Sequence, residues 1–315
     1  MSTACPGHPL THFAVRQALE RTASVHLGRP WTSKDFVDLD DLASHRSGIF
    51  QGESISVFAK LATDPLGRER FVAELEGLTL IHERAGVMTP TPVGSGIITV
   101  NGSVVLLMEA LSERRPETRS MSDWRSIGST LARIHQIQGE HFGLHFDGFY
   151  GPLRQQNGVL NGGNWTDFFV QRRLIPMVRS AVDSGNLPQE LQRGVEAIIS
   201  KVDSLAGADP HPTLLHGDAQ QHNFVSTDTG AAIIDPAPYF GHPEMDLAQI
   251  EVFNPVPGAV FDAYREVAPI DSGFDERREL WRLWCYLAVA TVEQQSTPFG
   301  RTMFRRLSDA VNRYQ

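Results

Sequence analysis

Lysine is nearly absent from this chain. Of its 28 basic residues only Lys34, Lys60 and Lys201 are lysines, so arginine carries the routine surface charge and each retained lysine draws interest. Cysteine is equally scarce. Cys5 and Cys285 stand far apart in a 315-residue chain, which excludes a disulfide framework and points to a reducing compartment. Long apolar runs are missing: the most apolar stretch, "VVLLMEAL", is too short to span a bilayer. The N-terminal "MSTACPGHPLTHFAVRQALERT" has no basic start followed by an apolar segment, so no secretory signal is read there. An excess of positive charge is also lacking. The formal net charge is -9, which argues against a phosphate backbone as partner and is compatible with a small amine-bearing one. Together these absences predict a cytoplasmic protein with neither membrane nor nucleic acid as partner; a monomer or a homodimer is the expected state, which the sequence itself does not fix.

What is present is ordinary for a packed globular chain: 41% hydrophobic and 21% charged residues. The length fits one large domain or two lobes. "THFAVRQALERTAS" has helical spacing, and "DFVDLDDLA" reads as a strand. "SHRSGIFQGES" holds two glycines among small polar residues and reads as a loop or tight hairpin. "SISVFAKLA" alternates polar and apolar residues and predicts a strand ending in Lys60. "GRERFVAELEGLTLIHERAG" places Phe71, Leu75, Leu78 and Ile81 at helical spacing before a closing glycine. "PTPVGSGIITVNGSVVLLMEAL" predicts two strands joined by an "NG" turn.

After Leu111 the character changes. "SERRPETRSMS" is polar and linker-like, and the remainder is mostly helical, from "SDWRSIGSTLARIHQI" with a Ser cap, through "NWTDFFVQRRLIPMVRSAV" and "PQELQRGVEAIISKVDSLA", to "RRELWRLWCYLAVATVEQQ" and "TMFRRLSDAVNRY". Two short apolar strands interrupt it, one leading into "LLHGDAQQHNF", the other ending in "AIIDPA". The expected architecture is α+β in two lobes, residues 1–110 strand-rich and residues 111–315 mostly helical.

The pattern H-x-D-x4-N, with a lone aspartate closing a strand soon after, matches what phosphoryl transfer from ATP or GTP requires. Asp218 would orient the attacking hydroxyl and take its proton. Asn223 and Asp235 would offer the hard oxygens that Mg2+ prefers. Lys60 would hold the nonreacting phosphates and Glu74, on the next helix, would hold Lys60, with Glu76 a rival for that place. His216 would brace the loop. Met108, Glu109, Ala110 and Leu111 would form the hinge whose backbone meets the base of the nucleotide. Gly48 and Gly52 are the candidates for backbone contact with the phosphates. Read singly, each of these residues has a plainer role: Asn223 in a turn, Asp235 at a strand end, Lys60 as surface charge. Their order along the chain is what joins them. A competing reading collects His216, Asp218, His222 and His242 as a zinc site of a metallohydrolase, which leaves Lys60 and Glu74 unused. A non-catalytic nucleotide-binding module is a further alternative.

Between about Phe58 and Leu247 the chain resembles the fructosamine (ketosamine) kinases, relatives of the aminoglycoside phosphotransferases within the protein-kinase-like fold. The resemblance rests on "FAK", "FVAELEGL", "LARIHQIQGEHFGLHFDGFYGPLRQQN", "NWTDFFVQRRLIPMV", "LLHGDAQQHNF" and "IIDPAPYFGHPEMDLA". It implies ATP-dependent phosphorylation of a hydroxyl on a small aminated sugar-type acceptor. The chain departs from the family where a Leu-Trp-x-Gly-Asn stretch usually follows the base: here it reads "AQQHN". The family's Gly-Gly-Ser nucleotide loop is also missing. A retuned acceptor, such as an aminated sugar or nucleoside antibiotic, is therefore the second expectation. Trp165, Arg172, Glu244 and Trp281 are candidate acceptor contacts, and Asp246 either attracts an amine or caps the helix "LAQIEVF".

Overall fold

The computed structural model describes residues 7–42, 45–112, 116–160 and 162–314. Cys5, Ser44 at the start of "SHRSGIFQGES", and Glu113 to Arg115 of the expected linker lie outside them.

The chain opens with α1 (Phe13–Leu27), followed by β1 (Asp35–Asp38), β2 (Arg46–Gln51), β3 (Val57–Ala62), α2 (Gly67–Ala85), β4 (Pro92–Val100) and β5 (Ser103–Glu109). The strands form one antiparallel sheet in the order β1-β2-β3-β5-β4. Between β4 and β5 the predicted turn is present, with Asn101 and Gly102 at φ 51° and 81°, the positive values a tight hairpin demands. Alternation along the strands sorts the two faces. Val57, Ala59, Leu61, Val105 and Leu107 pack with Leu19 and Ala23 of α1 in an outer core. Leu106 and Met108 turn the other way, into the main core with Phe71 and Leu78 of α2. Lys60, between Ala59 and Leu61, shares that inner face.

The expectation for "SHRSGIFQGES" is corrected. Most of it is β2, a strand with partners on both sides: Gly48 pairs with Asp38 and with Ala59. A Cβ at Gly48 would lie 2.3 Å from the Phe36 ring, so this glycine makes room for an outer-core aromatic and faces away from Lys60. Gly52 likewise yields to Trp31, 2.3 Å from its would-be Cβ. Ser47, opposite Lys60, is the buried β2 residue on the inner face.

The helical part begins with α3 (Met121–His135). Its N-cap is Ser120, whose hydroxyl and backbone exchange hydrogen bonds with Asp123 in a capping box, two residues earlier than the Ser122 expected. The short hairpin β6 (Gly148–Tyr150) and β7 (Leu153–Gln155) follows. Next, α4 (Trp165–Phe169) runs through a π-turn at Val170–Leu174 into α5 (Ile175–Asp183), then α6 (Gln189–Ile199) and α7 (Val202–Leu205). The loop-bearing strands are β8 (Thr213–Leu214), β9 (Phe224–Thr227), β10 (Gly230–Ile233) and β11 (Phe240–Gly241). The chain closes with α8 (Glu244–Gln249), α9 (Ala259–Arg265), α10 (Phe274–Val292) and α11 (Pro298–Tyr314). Twelve residues of α10 are buried on all sides, as expected of a helix apolar all round, which makes it the axle of this part. Among the described residues no helix is long and apolar enough to cross a membrane.

Candidate active site

The loop after β8 is set by a glycine. Gly217 has φ 79°, and a Cβ there would stand 1.8 Å from the carbonyl oxygen of Ala237, so only glycine lets the loop pass this close to the segment after Asp235. Around it the two loops are tied together. Ala237 N–H donates to His216 O (2.9 Å), and Ile234 N–H donates to Asn223 O (3.0 Å). His216 is fully buried, and burial pushes its imidazole down to about 4, so it is neutral at pH 7. Nδ1 accepts the Asp218 N–H (3.2 Å) while Nε2–H donates to Ile234 O (3.1 Å).

One residue holds more of this loop than sequence reasoning assigned to it. Asp246, 0% exposed on α8, accepts the N–H groups of His216 (2.7 Å) and Gly217 (3.1 Å) and the Nε2–H of His135 (3.1 Å). It neither caps its helix nor offers a free charge to an amine. Arg119, just before α3, donates to the carbonyls of Gln221 and Phe224 at the loop's far end. Both contacts span about a hundred residues or thirty residues of chain, and no local pattern signals them.

The carboxyl of Asp218 lies buried at the centre. Oδ1 accepts from Gln249 Nε2 (2.9 Å), and Oδ2 has a long contact with Gln220 Nε2 (3.4 Å). Burial pushes this carboxyl up to about 7, with Asp246 adding to the rise; the Asn223 and Gln220 side chains and the Lys60 charge oppose it. A carboxyl so placed exchanges its proton near neutral pH, as a general base for a hydroxyl should.

Lys60 reaches from β3 to the same place. Its Nζ donates to both oxygens of Glu74 on α2 (2.9 and 3.1 Å) and contacts Asp235 Oδ1 directly. Glu76 is exposed on the other side of the helix, which settles the rivalry. Asp235 adopts φ 52°, a left-handed conformation unusual outside glycine, so its carboxylate is aimed at some local cost. Asn223 donates through Nδ2 to Asp218 O (2.8 Å), which leaves its amide oxygen as the atom for a cation. The Asp235 carboxylate and this amide oxygen are hard donors and fit magnesium. His45, at the end of the β1–β2 connection, packs on Phe71 with ring centres 6.0 Å apart; burial, then the Lys60 and Arg70 charges, push it down to about 4. A neutral histidine beside the lysine was not foreseen, and nothing in its local sequence marks it.

The hinge is part strand. Met108 and Glu109 close β5, and the N–H groups of Glu109 and Ala110 are already given to Thr91 O (2.7 Å) and Ser56 O (2.8 Å).

Three of the four acceptor candidates are corrected. Trp165 is 1% exposed, within an aromatic cluster of Phe142, Phe168, Phe169, His242 and Trp281. Trp281, also 1% exposed, donates its indole N–H to Glu244 (2.7 Å). Glu244 is 2% exposed and paired twice with Arg277 (2.6 and 3.0 Å), so its charge is spent anchoring α8 to α10. Arg172 is half-buried and donates to Gly158 O (2.9 Å). Its neighbour Arg173 turns inward at the π-turn, stacks 3.9 Å over Tyr239 and binds Asn157 Oδ1 (2.7 Å). The zinc reading fails on placement. Among the described residues the one His/Cys/Asp/Glu group close enough to hold an ion is His8, Asp38 and Asp40 in the first lobe. His222 instead contacts Asn254, and His242 accepts the Glu244 N–H.

The fructosamine kinase family model matches residues 15–302 of this chain. The chain belongs to that family. It is a member of a kinase family with a protein-kinase-like fold. A "probable ketoamine kinase" of Pasteurella multocida is 30% identical over 245 residues, covering 77% of this chain and 81% of that protein. The crystal structure of a candidate fructosamine-3-kinase from Thermobifida fusca superposes with a TM-score of 0.79 at 28% identity, covering 94% of this chain and 98% of that one. A thermostable mutant of aminoglycoside phosphotransferase APH(4)-Ia shares the fold, with a TM-score of 0.56 and 14% identity over 93% of this chain and 98% of that one.

Proposed function

We propose that the protein transfers the terminal phosphoryl group of ATP to a hydroxyl of a small amine-bearing sugar derivative, a ketosamine being the acceptor class its family membership favours. The observation that carries this reading is the meeting of Asp218 with the Lys60–Glu74–Asp235 cluster. Residues 1–110 act as the nucleotide-binding lobe and residues 111–315 as the catalytic and acceptor-binding lobe. Glu74 holds Lys60, which neutralises the nonreacting phosphates. Asp235 and Asn223 would hold Mg2+, which when bound shields phosphate charge and fixes the phosphates. Asp218 accepts the proton of the acceptor hydroxyl as its oxygen bonds to the γ-phosphorus. The bond to the bridging oxygen breaks, and ADP leaves. His216 and Asp246 keep the loop in place while this happens. The scarcity of cysteine favours a cytoplasmic setting.

A second acceptor class has one observation in its favour. Gln220, inside the "AQQHN" stretch that departs from the family, extends its amide to the reacting carboxyl. An aminated antibiotic would use the same machinery through a different acceptor pocket. The test is a mixed panel of ketosamines and aminated antibiotics, incubated with magnesium and either ATP or GTP and read by product mass. Phosphorylated ketosamine supports the reading. Phosphorylation of antibiotics alone replaces it with the second.

A further inference from the structure

Gly77 stands in the middle of α2, buried, where glycine weakens a helix relative to alanine. Its φ is negative, so the backbone itself does not call for glycine. The reason lies across the helix. A Cβ at Gly77 would stand 2.8 Å from Pro238 Cδ and 3.3 Å from Pro236 Cγ, inside the roughly 3.5 Å at which carbon atoms pack. These prolines flank Ala237, directly after Asp235. Even a methyl group is therefore excluded where α2 meets the segment that carries Asp235. Glu74 lies three residues before Gly77 and shares its helix face. Lys60, from β3, donates to Glu74 and contacts Asp235. The close approach at Gly77 thus sets the spacing of two carboxylates that share one ammonium.

The rest of α2 is seated in the same way. Near its start, Glu69 accepts from Arg154 of β7 (2.5 Å). At its end, Arg133 of α3 donates to the carbonyls of Ala85 (3.2 Å) and Gly86 (2.8 Å). Two residues further, Met88 O accepts the N–H of Ile233 (2.9 Å), on the strand that leads to Asp235. Chain order puts α2 in the first lobe, but contacts along its whole length seat it on the second. We infer that Gly77 is a positioning residue: its missing side chain lets α2 bring Glu74 to the distance from Asp235 at which Lys60 serves both, and so fixes the lysine for the nucleotide phosphates. This rests on the proposed kinase function. A glycine needed for packing alone would, when replaced, disturb stability and both substrates together. A positioning glycine acts on the nucleotide side.

The measurement is kcat/KM for ATP, with KM for a ketosamine and the melting temperature beside it. Magnesium-ATP affinity by calorimetry repeats the comparison without an acceptor. Gly77→Ala must push α2 and Pro238 apart by several tenths of an ångström. A misplacement of 1 Å can cost about a hundredfold, so kcat/KM for ATP should fall about tenfold. KM for the ketosamine should stay within about twofold of the parent, because uniform acceptor binding is untouched. Adding Pro238→Ala to Gly77→Ala removes the ring atom that the new methyl group meets, and should restore kcat/KM for ATP to within about threefold of the parent. Arg133→Gln lies on the surface, safe for the fold, and loosens the far end of α2. It should lower kcat/KM for ATP about threefold, the size of one exposed hydrogen bond. A parental value and parental nucleotide affinity in either folded single variant overturn the inference. So does a double variant that is not rescued, or an equal rise in KM for both substrates. Absence of phosphoryl transfer by the unaltered protein overturns the proposed function instead, and the calorimetric comparison still decides the role of Gly77.

Discussion

The proposed base should also weaken the fold. In the folded chain the Asp218 carboxyl is pushed from its usual 3.8 up to about 7, chiefly by burial. Between those two pH values the folded state holds a proton that the unfolded state has released, so stability falls as pH rises through this window. Below 3.8 the penalty is absent; above 7 it is complete. Fully expressed, a gap of this size is equivalent to about 4 kcal/mol, an upper bound because water in an open cleft relieves part of it. Asp218→Asn removes the ionisation and keeps an oxygen for Gln249 Nε2. At pH 8 the variant should therefore melt above the parent, by about 2–6 °C. At pH 5 less than half of the gap should remain, and the two curves should converge only below about pH 4. Turnover should meanwhile fall by about 10²-fold or more, the usual size of a general-base contribution, with nucleotide binding largely intact. Thermal unfolding of both proteins between pH 5 and 8.5 makes the test. Melting curves that stay parallel across that range would refute the claim that Asp218 ionises against burial.

Three other substitutions probe other parts of the site. Asp235→Ala should abolish magnesium-dependent nucleotide binding; unchanged affinity by calorimetry would remove Asp235 from the metal site. Arg277→Ala leaves Glu244 buried without its cation and should cost about 3–5 kcal/mol in denaturant unfolding. A loss near zero would mean that α8 is not anchored there. Gly217→Ala would place a methyl group on the Ala237 carbonyl and should cut turnover on the order of 10²-fold by displacing the neighbouring Asp218. Parental turnover would show that the loop can shift without consequence.

The two-lobed α+β layout was legible because its elements are locally punctuated. α2 has helical spacing and a closing glycine, and the β4–β5 hairpin has its "NG" turn. The Lys60, Glu74, Asp218, Asn223 and Asp235 set could be listed in order for the same reason, each residue lying in the expected type of element. What could not be read depends on distant partners. Gly48 looks like a loop glycine until Phe36 is found in its missing side-chain space. Glu244 looks like free charge until Arg277, thirty-three residues later, closes on it. Trp165 and Trp281 carry no sign of whether they line a pocket or fill a core, and here they fill it. Asp246 and Gln249 hold a loop about thirty residues upstream, a pairing that no periodicity within α8 reveals.

The central claim is that Asp218 takes a proton from a sugar-type hydroxyl during phosphoryl transfer. It is tested most directly by following labelled γ-phosphate from ATP to a ketosamine, with magnesium, in the parent and in Asp218→Asn. The parent should yield a phosphorylated ketosamine and the variant about a hundredfold less, at similar nucleotide affinity. Equal transfer by both proteins would contradict it.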